Sequence, residues 1–237
     1  MPRRIKRYYR IMFPRTLALT FLGACLTAAA SDNTDRLNHS AEVFAEVMEI
    51  ADKAIPQTLL DKSQCVIVVP GMKKGAFIFG AKYGRGFAVC RAQGGVGWGP
   101  PGAVRVEGGS FGLQIGGSET DVILLVMNER GAKRLLGTSK FTIGGDASAA
   151  AGPVGRTATA ETDALLTAEI LTWSRSRGLF AGVSLQGATM RQDLDVNKEL
   201  YGGTIQNKDL VFSGRQPPAS AAQLLKLLNK YSSRQSK

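Results

Sequence analysis

Between Phe141 and Ala188 the chain reads FTIGGDASAAAGPVGRTATAETDALLTAEILTWSRSRGLFAGVSLQGA, built from glycine, alanine, serine and threonine with a few charges at set points. A flexible linker shares the small residues but lacks the β-branched and aromatic ones that recur in LLTAEILTW and GLFAGVSL, so the stretch reads as sheet. Glycine weakens a strand unless the backbone bends or another chain passes close to it. Gly144, Gly145, Gly152, Gly155, Gly182 and Gly187 therefore predict curved strands packed tightly together. Asp146 and Arg156, charges in this small-residue setting, are expected either to satisfy main-chain groups at a bend or to pair with each other.

Upstream, Leu37, Ala41, Phe44, Met48 and Ala51 recur at helical spacing, which predicts a helix over Thr34 to Ile55 that Pro56 ends. Short apolar or alternating runs follow, CVIVVP, GAFIFGAKYG, GRGFAVCR, GAVRVEG, SFGLQIGG and TDVILLVMN, separated by Gly-rich turns. Glu129 to Gly137 predicts a short helix, TWSRSRGLFAGVSLQG a strand pair, and Pro218 to Tyr231 a helix. Leu224, Leu225, Leu227 and Leu228 form the apolar face of this last helix, expected to pack onto the sheet, and Lys226, Lys230 and Arg234 form a cationic stripe. The fold class is α+β: a single domain with an antiparallel, mostly-β sheet or barrel-like core, an N-terminal helix, a short middle helix and a C-terminal helix.

The wording of several segments is characteristic. GGDASAAAGPVGR (144–156) and WSRSRGLFAGVSLQGA (173–188), with VPGMKKGAFIFGAKYGRG (69–86), WGPPGAV (98–104) and FGLQIGGSETDVILLVMN (111–128), occur in order across most of Thr34 to Lys230. They closely resemble the SYLF domain, a lipid-binding module of eukaryotic membrane-trafficking and actin-patch proteins that is also common in bacterial envelope proteins. The resemblance implies binding to phospholipid head groups, which in eukaryotic relatives are phosphoinositides, assisted by an N-terminal amphipathic segment. Here that segment is acidic, with Glu42, Glu46, Glu49 and Asp52 against Arg36 and Lys53. A bacterial envelope would offer phosphatidylglycerol, cardiolipin or lipopolysaccharide. Actin-filament binding by fungal relatives implies the alternative, a non-enzymatic scaffold that binds other proteins.

The N-terminus indicates export. Arg3, Arg4, Lys6, Arg7, Arg10 and Arg15 come with no acid among them, and TLALTFLGACLTAAA then runs apolar and small. This reads as a signal peptide over residues 1–30, too short for the roughly 20 apolar residues of a membrane span. Two cleavages fit: a lipobox, LGAC, that leaves Cys25 lipidated at the new N-terminus, or ordinary processing after Ala30. The lipobox is favoured because the apolar core stops at the cysteine, and Leu26 after it suggests outer-membrane sorting. Residues 31–237 form the SYLF-like domain. The expected location is a bacterial cell envelope, lipid-anchored at the outer membrane or periplasmic face, with a soluble periplasmic or secreted protein as the alternative. For an exported chain, Cys65 and Cys90 are either a disulfide or two buried thiols.

Subtracting the six leader cations leaves twenty-four Lys and Arg against nineteen acids, a net of +5, so bulk charge does not point to nucleic acid. Distribution says more. No acid lies between Asp61 and Glu107, where Lys62, Lys73, Lys74, Lys82, Arg85, Arg91 and Arg105 all fall. KKGAFIFGAKYGRG interleaves cations, glycines and aromatics, and its Lys73, Lys74, Lys82 and Arg85 are the candidate lipid-binding residues, expected to gather where two strands turn. The partner expected there is an anionic phospholipid membrane.

Other chemistry finds little support. Gly108-Gly109-Ser110-Phe111-Gly112 matches G-x-S-x-G, but strand continues after it and His39, the single histidine, sits on the N-terminal helix. Asp193, Asp195, Asn197 and Glu199 imitate a calcium loop, yet Lys198 and Thr204 stand where glycine and glutamate belong, so the residues read as the polar face of a strand or turn. GGVGWGPPG lacks the helix and acid of a dinucleotide site. No enzyme activity, metal or cofactor is expected.

Overall fold

The computed structural model describes residues 18–50, 55–77, 79–111, 116–154, 167–176, 179–212 and 214–234. Helix α1 (Ala18–Glu49) starts earlier than its apolar periodicity, ends at Glu49 and not at the expected Ile55, and buries Leu37, Ala41, Phe44 and Met48 as that periodicity predicts. Val43 and Val47 are buried beside them, while Ala51 lies outside the described residues. The short α2 (Gln57–Lys62) follows Pro56.

Four long strands come next: β1 (Cys65–Phe77), β2 (Phe79–Cys90), β3 (Gly102–Phe111) and β4 (Gly116–Val126). The runs expected as six short strands are thus partly fused, and Gly75, Gly84 and Gly86 lie within strands and not in turns. The reason is curvature. A Cβ at Gly86 would come within 2.0 Å of the Val68 carbonyl oxygen, so glycine there lets β1 bend over β2 without breaking the ladder.

Helix α3 (Glu129–Gly137) matches its sequence reading, with the Asn128 side chain accepting from Gly131 N–H at 2.8 Å. Among the described residues, strands β5 (Phe141–Thr142), β6 (Ala149–Ala151), β7 (Ile170–Ser176), β8 (Leu179–Gly182) and β9 (Thr189–Gln192) complete a curled nine-stranded sheet. Its order is β5-β9-β3-β2-β1-β4-β7-β6, with β8 on β7, and every pairing is antiparallel except β6 with β7. The segment read as strand or turn at Asp193 to Glu199 is instead helix α4 (Leu194–Tyr201), capped by Asp193. Its Asn197 is buried and is held by Asn207, donating to the Asn207 Oδ1 at 2.7 Å, and by Ala103 N–H, so the polar spacing served a helix cap and not a strand face. Helix α5 (Asn207–Phe212), a 3₁₀ turn (Ala219–Ala221) and α6 (Ala222–Tyr231) end the described chain.

The sheet is covered on both sides. Val66, Val68, Phe87, Ile123 and Trp173 face α1 and α6, where Leu224 and Leu228 are buried. Ile67, Ala88, Val104, Leu124 and Met190 face the other way, against α3 and the Phe141–Ala147 segment. The leucine face of α6 packs against α1 as well as toward the sheet, Tyr231 meeting Phe44 edge to face at 6.1 Å.

Two glycines of the small-residue region are required by close packing, whereas Gly144 and Gly187 stand in turns at φ +84° and +79° and Gly155 lies outside the described residues. A Cβ on Gly152 would lie 2.0 Å from the fully buried Trp173 ring, and one on Gly182 would lie 2.2 Å from the Gly152 carbonyl oxygen. Trp173 Nε1 donates to Pro153 O at 2.9 Å and holds the same crossing. Asp146 serves the adjoining bend: its carboxylate accepts from Thr142 N–H at 2.5 Å and its carbonyl from Arg134 at 2.7 Å. Arg156 lies outside the described residues.

Gly152→Ala is expected to lower stability by about 1–3 kcal/mol, because the indole can retreat only by displacing the core around it. A urea titration should show a lower midpoint with an unchanged slope, and an unchanged midpoint would mean that the crossing relaxes freely.

Candidate functional site

The candidate cations lie on the β1–β2 hairpin, beyond an irregularity in β1. From Val68 to Lys73 β1 advances five residues while β2 recedes four, from Phe87 to Tyr83, and β4 sees the same extra residue. This is a β-bulge, and it exchanges the faces of everything after it. Gly71 stands in it at φ +58°, and its N–H donates to Asp121 Oδ1 at 2.9 Å. Arg175 donates twice to the other oxygen of Asp121, at 2.9 and 2.8 Å, and also ion-pairs with Glu46 of α1.

Downstream of the bulge the four cations separate. Lys74 pairs in register with Lys82, and Lys73 pairs with Tyr83, so the two lysines of β1 occupy opposite faces. Arg85, two residues from Tyr83, shares the α1 face with Lys73. The sequence reading put all four at one turn; the structure brings Lys74 and Lys82 together and turns Lys73 and Arg85 away from them.

Their surroundings differ too. Lys73 has Glu119 of β4 directly opposite, and Arg85 Nε lies 3.1 Å from the buried Asp193 carboxylate. Lys74 and Lys82 have only each other, Ser118 and Gly108 as register neighbours. Partial burial pushes the Lys82 ammonium below its usual pKa, and the Lys74 charge pushes it in the same direction.

Two other members of the acid-free stretch have partners of their own. Arg105 pairs with Glu107 at 3.1 Å. Arg91 is buried and donates to the carbonyls of Leu60, Ser63 and Ser232 and to the Ser232 hydroxyl at 2.6–3.2 Å, with its guanidinium carbon 3.7 Å from the centre of the Trp98 ring. Burial brings its pKa down to about 10, so it stays charged at neutral pH.

Cys65 and Cys90 stand opposite each other on β1 and β2 and are joined by a disulfide, S–S 2.04 Å. Cys25 falls in the first part of α1. The C-terminal stripe is divided: Arg234 donates to Ser63 O at 2.8 Å and Lys230 sits 4.9 Å over the Tyr231 ring. His39 is exposed on α1, and Ser110 lies in β3, paired with Gly80. Among the described residues, no group of three or more His, Cys, Asp or Glu is placed to hold a metal, and no helix is long and apolar enough to cross a membrane.

Asp121, Arg175 and Arg191 are not among the residues that the sequence singles out, and Asp193 is read there only as part of the polar face of a strand or turn. The one available signal was a charge interrupting an apolar run, as in SETDVILLV and LTWSRS; the partners come from strands and helices far away along the chain.

Residues 107–231 match the Ysc84 family, described as "Las17-binding protein actin regulator". The chain belongs to this family. Its SYLF resemblance and the family match coincide, and similar proteins occur in fungi and animals. An SH3 domain-containing protein of Schizosaccharomyces pombe is 34% identical over 181 residues, 76% of this chain and 42% of that protein. Human SH3 domain-containing YSC84-like protein 1 is 29% identical over 197 residues, 81% of this chain and 57% of that protein. Protein YSC84 of Saccharomyces cerevisiae is 32% identical over 181 residues, 75% of this chain and 38% of that protein. This Ysc84-family chain thus spans about half the length of the curated relatives it matches.

Removing one lysine of the close pair should release the other. Lys74→Ala is expected to raise the Lys82 pKa toward, but not to, the ordinary lysine value, since burial remains. Side-chain carbon chemical shifts followed through a pH titration would show this, and an unmoved Lys82 titration would mean that the two charges do not interact.

Proposed function

We propose that the chain is an exported envelope protein, lipid-anchored at Cys25, whose Ysc84 domain binds anionic phospholipid head groups through the β1–β2 hairpin. The observation that carries this reading is the Lys74–Lys82 pair. Two ammonium groups stand opposite each other with no carboxylate beside either in register, and like charges so placed repel. An anionic surface relieves the repulsion and contributes about 1 kcal/mol for each lysine close to it. Export is supported by the basic leader with its short apolar run, and by a disulfide, which persists in oxidising compartments. Processing after Ala30, giving a soluble periplasmic or secreted protein, is the alternative for localisation. The proposed activity is binding, without catalysis.

A second reading, a platform for protein partners, is favoured by the relatives, whose names describe Las17 binding and SH3 domains. Exposed Leu179 on β8 offers an apolar contact for it.

Co-sedimentation with vesicles separates the two readings. The wild-type chain should bind vesicles of phosphatidylcholine and phosphatidylglycerol, and Lys74→Ala/Lys82→Ala should weaken this by about 2 kcal/mol at low salt. Most of the difference should vanish at high salt, where exposed charges are screened. Binding indifferent to lipid charge would favour the protein-platform reading. For the anchor, mass spectrometry of the membrane-extracted protein should find an acylated N-terminal Cys25; an unmodified N-terminus at Ser31 would overturn it.

A further inference from the structure

On the sheet face opposite Lys74 and Lys82, register sets three arginines in a row. Arg85 of β2 pairs with Arg105 of β3, and Arg105 pairs with Arg191 of β9, so three guanidinium-bearing side chains are lateral neighbours on one face. Directly opposed like charges destabilise a sheet, and here the opposition occurs twice. Two carboxylates partly offset it. Asp193, which caps α4 and is 2% exposed, lies against Arg85, and Glu107 is shared between Arg105 at 3.1 Å and Arg191 at 3.5 Å. Asp32 of α1 also acts on Arg85, but it is paired with Arg36 at 2.7 Å. Three cations against two committed carboxylates leave the row one positive charge in excess.

The side chains are arranged to present that excess. The Nε atoms of Arg85, Arg105 and Arg191 are buried and lie 3.1–3.5 Å from the carboxylates of Asp193 and Glu107, while the side chains as a whole are 36–38% exposed. Exposure therefore belongs to their outer ends, and the ion pairs of Arg105 and Arg191 with Glu107 are made through Nε. Beside the row, Tyr83 is 45% exposed and stands opposite Glu107, whose other neighbour is Thr189. Paired planar forks with open donors fit the tetrahedral oxygens of phosphate, which a lysine, as a point charge, does not match in the same way.

We propose that the Arg85–Arg105–Arg191 row is a phosphate-binding site, with the forks of Arg105 and Arg191 as its principal donors and Tyr83 and Thr189 at its edge. One phosphodiester charge balances the row, and both a phospholipid head group and a free phosphate ester carry the group required. The site is separate from the hairpin lysines and does not depend on them.

The test uses the full chain, sodium phosphate, and phosphatidylcholine vesicles containing phosphatidylglycerol. In the wild type, phosphate should shift the side-chain Nε–H signals of Arg105 and Arg191 in nitrogen-edited NMR, a measurement that needs no variant. Arg105→Lys/Arg191→Lys keeps the charge and the aliphatic stem but removes both forks, and should weaken phosphate binding about tenfold or more, with melting temperature confirming the fold. If this variant also loses vesicle binding, the natural phosphate is a lipid head group; if it loses phosphate binding alone, the ligand is a free phosphate ester. Arginine signals unmoved by phosphate, or a Lys variant that binds phosphate like the wild type, would overturn the proposal. Failure of wild-type vesicle binding with intact phosphate binding would remove the lipid reading of the hairpin and leave this site standing.

Discussion

The bulge at Pro70–Gly71 is the constraint on which the binding surface depends. Strand pairing alternates side chains between faces with period two, so one extra residue in β1 exchanges the faces of every position after it. Without it, Lys73 would stand beside Lys82, and Lys74 would point to the α1 side. The bulge is held from outside its own strand. Asp121 of β4 accepts from Gly71, Arg175 of β7 grips Asp121, and Glu46 brings α1 into the same cluster. The helix, two strands and the bend therefore share one set of charged hydrogen bonds. Arg175 and Asp121 are only 17% and 14% exposed in their side chains, which places the interaction where solvent screens it least.

A buried cation, Arg91, holds the C-terminal helix to α2 and β2. Arg91 follows Cys90 at the end of β2 and binds the carbonyls at the C-terminal end of α2 and just after α6. Those carbonyls carry the negative end of each helix, so a guanidinium among them is stabilised without a carboxylate partner. Trp98 completes the arrangement, stacking on Arg91 and donating to Ser232 O at 2.7 Å. The C-terminal helix is thereby tied to α2 and β2 by polar contacts as well as by its leucines.

Much of the fold was legible in the sequence because the determining interactions are local or periodic. The apolar face of α1, the boundaries of α3, the β7–β8 pair and the α6 leucines follow from side-chain spacing alone. Close packing at the glycines was also legible, since Gly152 and Gly182 make sense only where another group occupies the space of a Cβ. The α4 helix is hidden in the sequence because Asp193, Asp195, Asn197 and Glu199 alternate as the polar face of a strand does, while the partners of Asn197, Ala103 and Asn207, lie outside that segment. The acid-free stretch was legible as a sequence but not as a surface. Glu119, Glu107 and Asp193 reach its cations from β4, β3 and the start of α4.

The sequence by itself determined the family, the α+β class, the helical faces and the small-residue sheet, because each is encoded in residue types at fixed short separations. Tertiary structure decided which charges meet. Strand order placed Arg191, near the end of the sheet region, beside Arg105, whose other neighbour is Arg85, and one bulge decided that Lys74, and not Lys73, stands opposite Lys82. Neither is visible along the chain, because lateral neighbours in a sheet are set by register between strands, and register depends on turns, bulges and buried clamps whose parts lie far apart in the chain, 54 residues in the case of Asp121 and Arg175.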